Sequence, residues 1–336
     1  MVGPSRSAVL AVLCATAACG GSSPSPTVPS TPAPPSPPPV ATWSVQGVVT
    51  DAMSGAPVPG ATLKLADRPE VSTDATGAWQ FTGSGTIQTS QSLTIDAAGY
   101  FTRSTGMRWD TPGRTNVAFS LIPNRSPFSL SLYRDLVRNA FDAPQQSEPL
   151  RRWTTNPNFY INTFNPKTGG PLEPAELQMV MNAIRGAVPQ ATGGTLTVGT
   201  IESGATARAM ATGWINVEFT YEPTADYCGL ALVGRNPGRI TINYDACARS
   251  CGSAKVTPEA VVHEVGHAMG FWHTRADGIM NPFVKRCTVT TFTAEEQLHM
   301  RIAYQRPPGN LDVDQDPSTF FAEYAETEVR PVICRR

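Results

Sequence analysis

The stretch His263-Glu264-Val265-Gly266-His267-Ala268-Met269-Gly270-Phe271-Trp272-His273 constrains this chain more than any other, because it gathers three of the four histidines within eleven residues. Residues four apart on an α-helix share a face one turn up. A helix through 263 and 267 therefore presents two imidazoles to one point. Val261, Val262, Val265, Ala268 and Met269 leave its other faces apolar. The pattern predicts a buried helix over 257–271, with Thr257 as N-cap and Pro258 at the first helical position. A helix running past 270 would carry later side chains away from the imidazoles. Glycine adopts positive φ and ends a helix sharply, so Gly270 lets the chain swing back with His273. Three neutral imidazoles are a ligand set for Zn2+ that leaves a further position for water. Glu264, next to the first ligand, would face that water and act as general base.

Beyond the third histidine comes Asp277-Gly278-Ile279-Met280-Asn281-Pro282. Together with the longer motif this run resembles the metzincin metallopeptidases, whose signature is HExxHxxGxxH followed by a Met-turn. The resemblance spans 158–304. It implies one catalytic Zn2+ on His263, His267 and His273, with Glu264 catalytic and Met280 as an apolar floor beneath the metal. It also implies peptide or protein substrates, and makes 239–243 the edge strand that pairs with an extended substrate. Pro282 stands where some members carry a tyrosine that approaches the zinc. The Met-x-Pro turn and Thr274 are similar to matrix-metalloprotease-like members, but no cysteine-switch segment (Pro-Arg-Cys-Gly) lies upstream.

The surrounding pattern predicts a multidomain chain. Short alternating runs at 45–49, 62–65, 79–81, 93–95 and 117–121, separated by Gly and Pro turns, predict an all-β sandwich over 43–123. Gly47-Val48-Val49-Thr50-Asp51, Gly55-Ala56-Pro57-Val58-Pro59-Gly60-Ala61, Thr73-Asp74-Ala75-Thr76-Gly77 and Ala97-Ala98-Gly99-Tyr100 resemble the carboxypeptidase regulatory-like β-sandwich. Such a domain serves either as a spacer or as a glycan- or protein-binding module. A connecting helix follows within 124–150, with its apolar stripe over 128–141. The catalytic domain is expected over 151–310, of α+β zincin-like class with a mixed twisted sheet and the active-site helix. Its strands are expected at 159–164, 195–201, 214–220 and 239–243, and its other helices at 174–188 and 293–304. Thr293 and Glu296 have capping-box spacing. His299 is expected to be structural. Asp312, Asp314, Asp316 and Glu323 have the spacing of a Ca2+ loop, but Pro317 stands where that loop needs glycine. Residues 311–336 therefore read as a solvated acidic tail.

The N-terminus indicates export. Arg6 precedes a short apolar run over 7–18, which ends in Thr16-Ala17-Ala18-Cys19-Gly20. The run is too short to span a bilayer, and its end resembles the bacterial lipoprotein signal. That resemblance implies that 1–19 is a signal segment, cut before Cys19 and lipidated there; the alternative is ordinary cleavage and release. Nine prolines within 20–40 make 20–42 a linker of extended polyproline type, with a reach of ~60 Å. Export permits disulfides among Cys228, Cys247, Cys251, Cys287 and Cys334. A formal charge of -1 gives no field for nucleic acid, so membrane contact is expected only through the anchor. The rival to an endopeptidase is a surface-binding module with a non-catalytic metal site. Mass spectrometry of the mature protein should find a lipidated Cys19 at its N-terminus; an unmodified terminus would remove the anchor.

Overall fold

The computed structural model describes residues 42–85, 90–108, 117–225, 227–246, 255–283 and 290–317. The signal, most of the linker, Cys19, Cys247, Cys251, Cys287, Cys334 and Glu323 lie outside these residues. Cys228 is disulfide-bonded. Among the described residues no helix is long and apolar enough to cross a membrane.

The first domain is β-rich and built on alternation. One sheet has the order β4 (Ala78–Ser84), β1 (Thr42–Asp51), β7 (Val117–Leu121); β1 runs antiparallel to β4 and parallel to β7. The other is β3 (Val71–Ser72), β2 (Thr62–Leu65), β5 (Ser90–Asp96), β6 (Arg103–Arg108), all antiparallel. Val45, Leu63, Leu65, Phe81, Leu93, Ile95 and Leu121 alternate inward and fill the space between the sheets. The sequence pattern missed β3, which is only two residues long, and β6, whose Arg-Ser-Thr-Gly-Met-Arg lacks alternation.

The second domain carries a five-stranded mixed sheet of order β11 (Gly229–Ala231), β12 (Gly238–Asn243), β10 (Trp214–Thr220), β8 (Asn158–Asn162), β9 (Ile201–Gly204). All neighbours run parallel except β11, which is antiparallel to β12. Two expectations need correction. Residues 239–243 are not an edge strand, because β11 covers β12 on its outer side. The expected strand over 195–201 begins only at Ile201. Upstream of it, the N–H groups of Leu196, Thr197 and Thr200 donate to the side chains of Thr192, Asn156 and Asn158 instead of to a ladder.

Among the described residues four helices complete this domain: α1 (Leu130–Arg138), α2 (Pro174–Ala191), α3 (Pro258–Ala268) and α4 (Ala294–Tyr304). The expected caps form. Thr257 accepts from Ala260 N at 3.2 Å with Pro258 at N1, and Thr293 and Glu296 make a reciprocal capping box. The expected connecting helix forms as α1 and packs on the second domain. Leu132, Tyr133, Leu136 and Val137 share one apolar core with the strands and with α2, α3 and α4. Both nitrogens of His299 are used in the fold: Nε2 accepts from Ser129 N at 2.8 Å and Nδ1 donates to Glu295 O at 2.7 Å.

The solvated acidic tail is also corrected. Asp314 is fully buried and accepts from Arg306 Nε and Nη2 at 2.5 and 2.9 Å, while Asp316 accepts from Arg103 Nη2 at 2.7 Å. Ser104 N donates to Asp314 O and Asp316 N to Ser104 O, so this segment extends the edge of β6. Arg306 also reaches Ser120, and Gln305 donates to Ala52 O. The sandwich is thus clamped to the end of α4. Arg103 is 213 residues from Asp316 and in the other domain, so nothing near that acid in the sequence marks its partner, whereas Arg306 lies only 8 residues before Asp314. Removing one member of a buried ion pair leaves the other uncompensated. Asp314→Ala should therefore cost about 3–5 kcal/mol of stability in chemical denaturation; a change below about 0.5 kcal/mol, the usual range of a surface substitution, would contradict the clamp.

Candidate metal centre

The end of α3 shapes the site. Gly270 has φ +110°, its N–H donates to His267 O, and Phe271 N donates to Gly266 O. This is the Schellman pair of bonds that closes a helix. Glycine is required there twice over: besides the positive φ, a Cβ at 270 would lie 1.8 Å from Arg151 O. The remaining carbonyls at this end take Trp153 Nε1 on Ala268 O at 3.0 Å and Tyr304 Oη on Met269 O at 2.8 Å. The chain then doubles back, and His273 returns to the two histidines of the helix.

The three histidines come together in the interior, with exposures of 5%, 0% and 2% for His263, His267 and His273. One ligand atom from each lies within 4.8 Å of the other two. Their outward nitrogens decide what the inward ones can do. His263 Nδ1 is 2.6 Å from Ile279 O, His267 Nδ1 is 2.7 Å from Phe271 O, and His273 Nδ1 is 2.9 Å from Asp142 Oδ2. A carbonyl or carboxylate oxygen can only accept, so each Nδ1 carries a proton, and in the neutral form of such a ring the lone pair is on Nε2. His263 Nε2 and His267 Nε2 face each other at 2.9 Å. Two lone pairs at that separation repel unless a positive charge is shared between them. A proton is disfavoured: burial, then the neighbouring His273, pushes His263 down to about 3, and burial and the other two rings push His267 well below its ordinary value. A metal ion satisfies the same lone pairs, and nitrogen donors in this number suit Zn2+.

Supporting residues surround this cluster. Glu264 is 1% exposed and its carboxylate lies against Gly229 of β11, where a Cβ would meet Oε1 at 2.4 Å. Met280 is fully buried beside Gly266 of α3. Glu296 accepts from Ile279 N at 3.2 Å and from Met280 N at 2.7 Å while it caps α4. The capping box visible in the sequence therefore also holds the turn whose carbonyl orients His263. Asp142, Gly229 and this second role of Glu296 escaped the sequence reading. Only the capping spacing offered a signal. Pro282 is buried just beyond Met280, and no side chain at that position can reach inward as an oxygen ligand.

Comparison with known proteins bears on the first domain. Residues 44–122 match the carboxypeptidase regulatory-like domain. No curated protein matches the chain. Among solved structures, it is similar to a hydroxyquinol 1,2-dioxygenase from Pseudomonas putida DLL-E4, at 14% identity and TM-score 0.19, over 24% of this chain and 56% of that one. A catechol 1,2-dioxygenase from Acinetobacter radioresistens aligns at 13% identity and TM-score 0.22, over 26% and 53%. A type II cohesin–X-dockerin complex from Acetivibrio cellulolyticus aligns at 13% and 0.20, over 24% and 58%. The alignments span little more than half of each of these chains, at similarities that carry no argument about chemistry. The carboxypeptidase regulatory-like match ends before α1 and leaves the three histidines outside it.

Histidines that are neutral when folded but protonate when unfolded make stability depend on pH. Here the folded values lie below the ordinary 6.5. Their contribution is present above 6.5 and is lost as pH falls toward about 3, because only the unfolded state takes up the protons. The melting temperature of the metal-free protein should fall steadily between pH 7 and pH 5. A flat profile would mean that the rings are not held neutral.

Proposed function

We propose that the chain is a zinc-dependent endopeptidase of the metzincin type. One observation carries this reading: three buried imidazoles, each with its Nδ1 proton held outward, bring their ligand atoms together, and the helix that bears two of them also bears the buried carboxylate of Glu264. His263, His267 and His273 would hold the ion. Zinc bound there supplies a Lewis acid that polarises a peptide carbonyl and acidifies water. The rest is the work of the chain. Glu264 takes a proton from the attacking water as the new C–O bond forms, and delivers it to the departing amine nitrogen as the C–N bond breaks. Its burial against β11 places the carboxylate where bulk water does not compete for that proton.

The sheet supports a peptide substrate. β11 is antiparallel to β12 on one side, and among the described residues no strand pairs with its other edge. An extended peptide laid along that edge would gain main-chain hydrogen bonds, with affinity largely independent of sequence. Its backbone would then pass the carboxylate of Glu264, which rests on Gly229 of the same strand. Met280, buried beside Gly266 of α3, would be the apolar floor that the family resemblance implies. The lipoprotein-like end at Cys19 and the proline-rich linker favour an anchored enzyme acting at the cell envelope.

Glu264→Gln keeps the shape of the side chain and removes its basicity. The variant should retain zinc at the parent's stoichiometry while kcat/KM for peptide hydrolysis falls by about 10²–10⁴-fold or more. Cleavage at the parent's rate would sink the mechanism.

A further inference from the structure

We propose that Asp142 is a positioning residue for the third imidazole, so that the segment after α1 is a built part of the metal site. This inference rests on the metal-binding reading above. Two of the three Nδ1 protons are received by carbonyls from segments next to the ligands in the chain or in the Met280 turn. The third is received by a carboxylate 131 residues upstream, at 2.9 Å. The difference has a chemical consequence. A carboxylate is a stronger acceptor than a carbonyl; it fixes the tautomer of the ring and raises the basicity of the opposite nitrogen. His273 also needs this help most. His263 and His267 ride on a helix, whereas His273 lies past the helix end on irregular chain.

The segment that brings Asp142 is joined to that chain at several points. Trp272 N donates to Leu136 O at 2.8 Å, directly before the histidine. Directly beyond it, Arg275 pairs with the largely buried Asp135 at 2.9 Å. Asn139 closes α1 in the left-handed conformation, with φ 59°, and turns the chain toward the site. Phe141 lies under the Arg275 guanidinium and edge-on to Phe283. Residues 135–142 and 272–275 thus run against each other, with Asp142 and His273 as one of their contacts. The side chain of Asp142 is 37% exposed and that of His273 only 2%. An exposed acid held against a buried ring serves the ring rather than the surface.

The test compares Asp142→Ala and Asp142→Asn with the parent, reading zinc affinity by competition with a chromophoric chelator and the melting temperature of each metal-free protein. Asn keeps an oxygen acceptor for the Nδ1 proton but not the charge. Asp142→Ala should weaken zinc binding by about 10–100-fold, and Asp142→Asn should recover part of that loss. Both metal-free variants should melt with the parent. Equal zinc affinity in parent and Asp142→Ala would overturn the proposal. So would a loss of affinity matched by a lowered metal-free melting temperature and not relieved by Asn, since that would mark a purely structural contact. A parent that binds no zinc would instead defeat the metal-binding reading itself.

Discussion

An imidazole has one proton and one lone pair to place, and the second domain is arranged around that choice. Ile279, Phe271 and Asp142 each supply an acceptor on the outer side of a ring, which turns three lone pairs inward. Each acceptor has its own structural cause. Phe271 is where it is because Gly270 closes α3 in a left-handed turn. Ile279 is held by the same Glu296 carboxylate that caps α4. Asp142 lies in the segment that follows α1, whose apolar face is buried in the shared core. Burial then keeps His263 and His267 neutral, because charging them inside the protein costs more than charging them in water.

Long-range charge holds the frame rigid around this centre. Arg306, Arg103, Asp314 and Asp316 form a buried network that joins α4, β6 and the segment beyond residue 310. Arg138 at the end of α1 donates into the same segment, at the carbonyls of Asn310 and Asp312. The carboxypeptidase regulatory-like sandwich therefore sits against α4, one of the helices around the candidate metal centre. Buried ion pairs contribute little net stability against apolar alternatives, but they are severe about geometry, since a displaced partner leaves a naked charge. That severity suits a contact that must fix one domain on another.

What could be read from the sequence was what depends on near neighbours. The ligand spacing, the helix-ending Gly270, the Thr257 and Thr293 caps and the alternation in β1, β2 and β5 all follow from interactions within a few residues. What could not be read depends on encounters across the chain. Asp142 is an ordinary acid after a helix until the fold brings His273 to it. Asp316 looks like part of a solvated acidic run until Arg103 reaches it from the other domain. β11 is three residues long, too short to show a period, yet it takes the sheet edge that the family resemblance assigned to 239–243. Gly229 gave no sign of itself either, because its need to lack a side chain comes from Glu264 on another element.

The claim at the centre is that these three lone pairs hold one catalytic ion. Metal analysis of the purified full chain, followed by digestion of a mixed peptide library with and without chelator, tests it most directly. One zinc per chain is expected, with cleavage that stops when zinc is removed and returns when it is restored. A chain without stoichiometric zinc, or cleavage indifferent to the chelator, would contradict it.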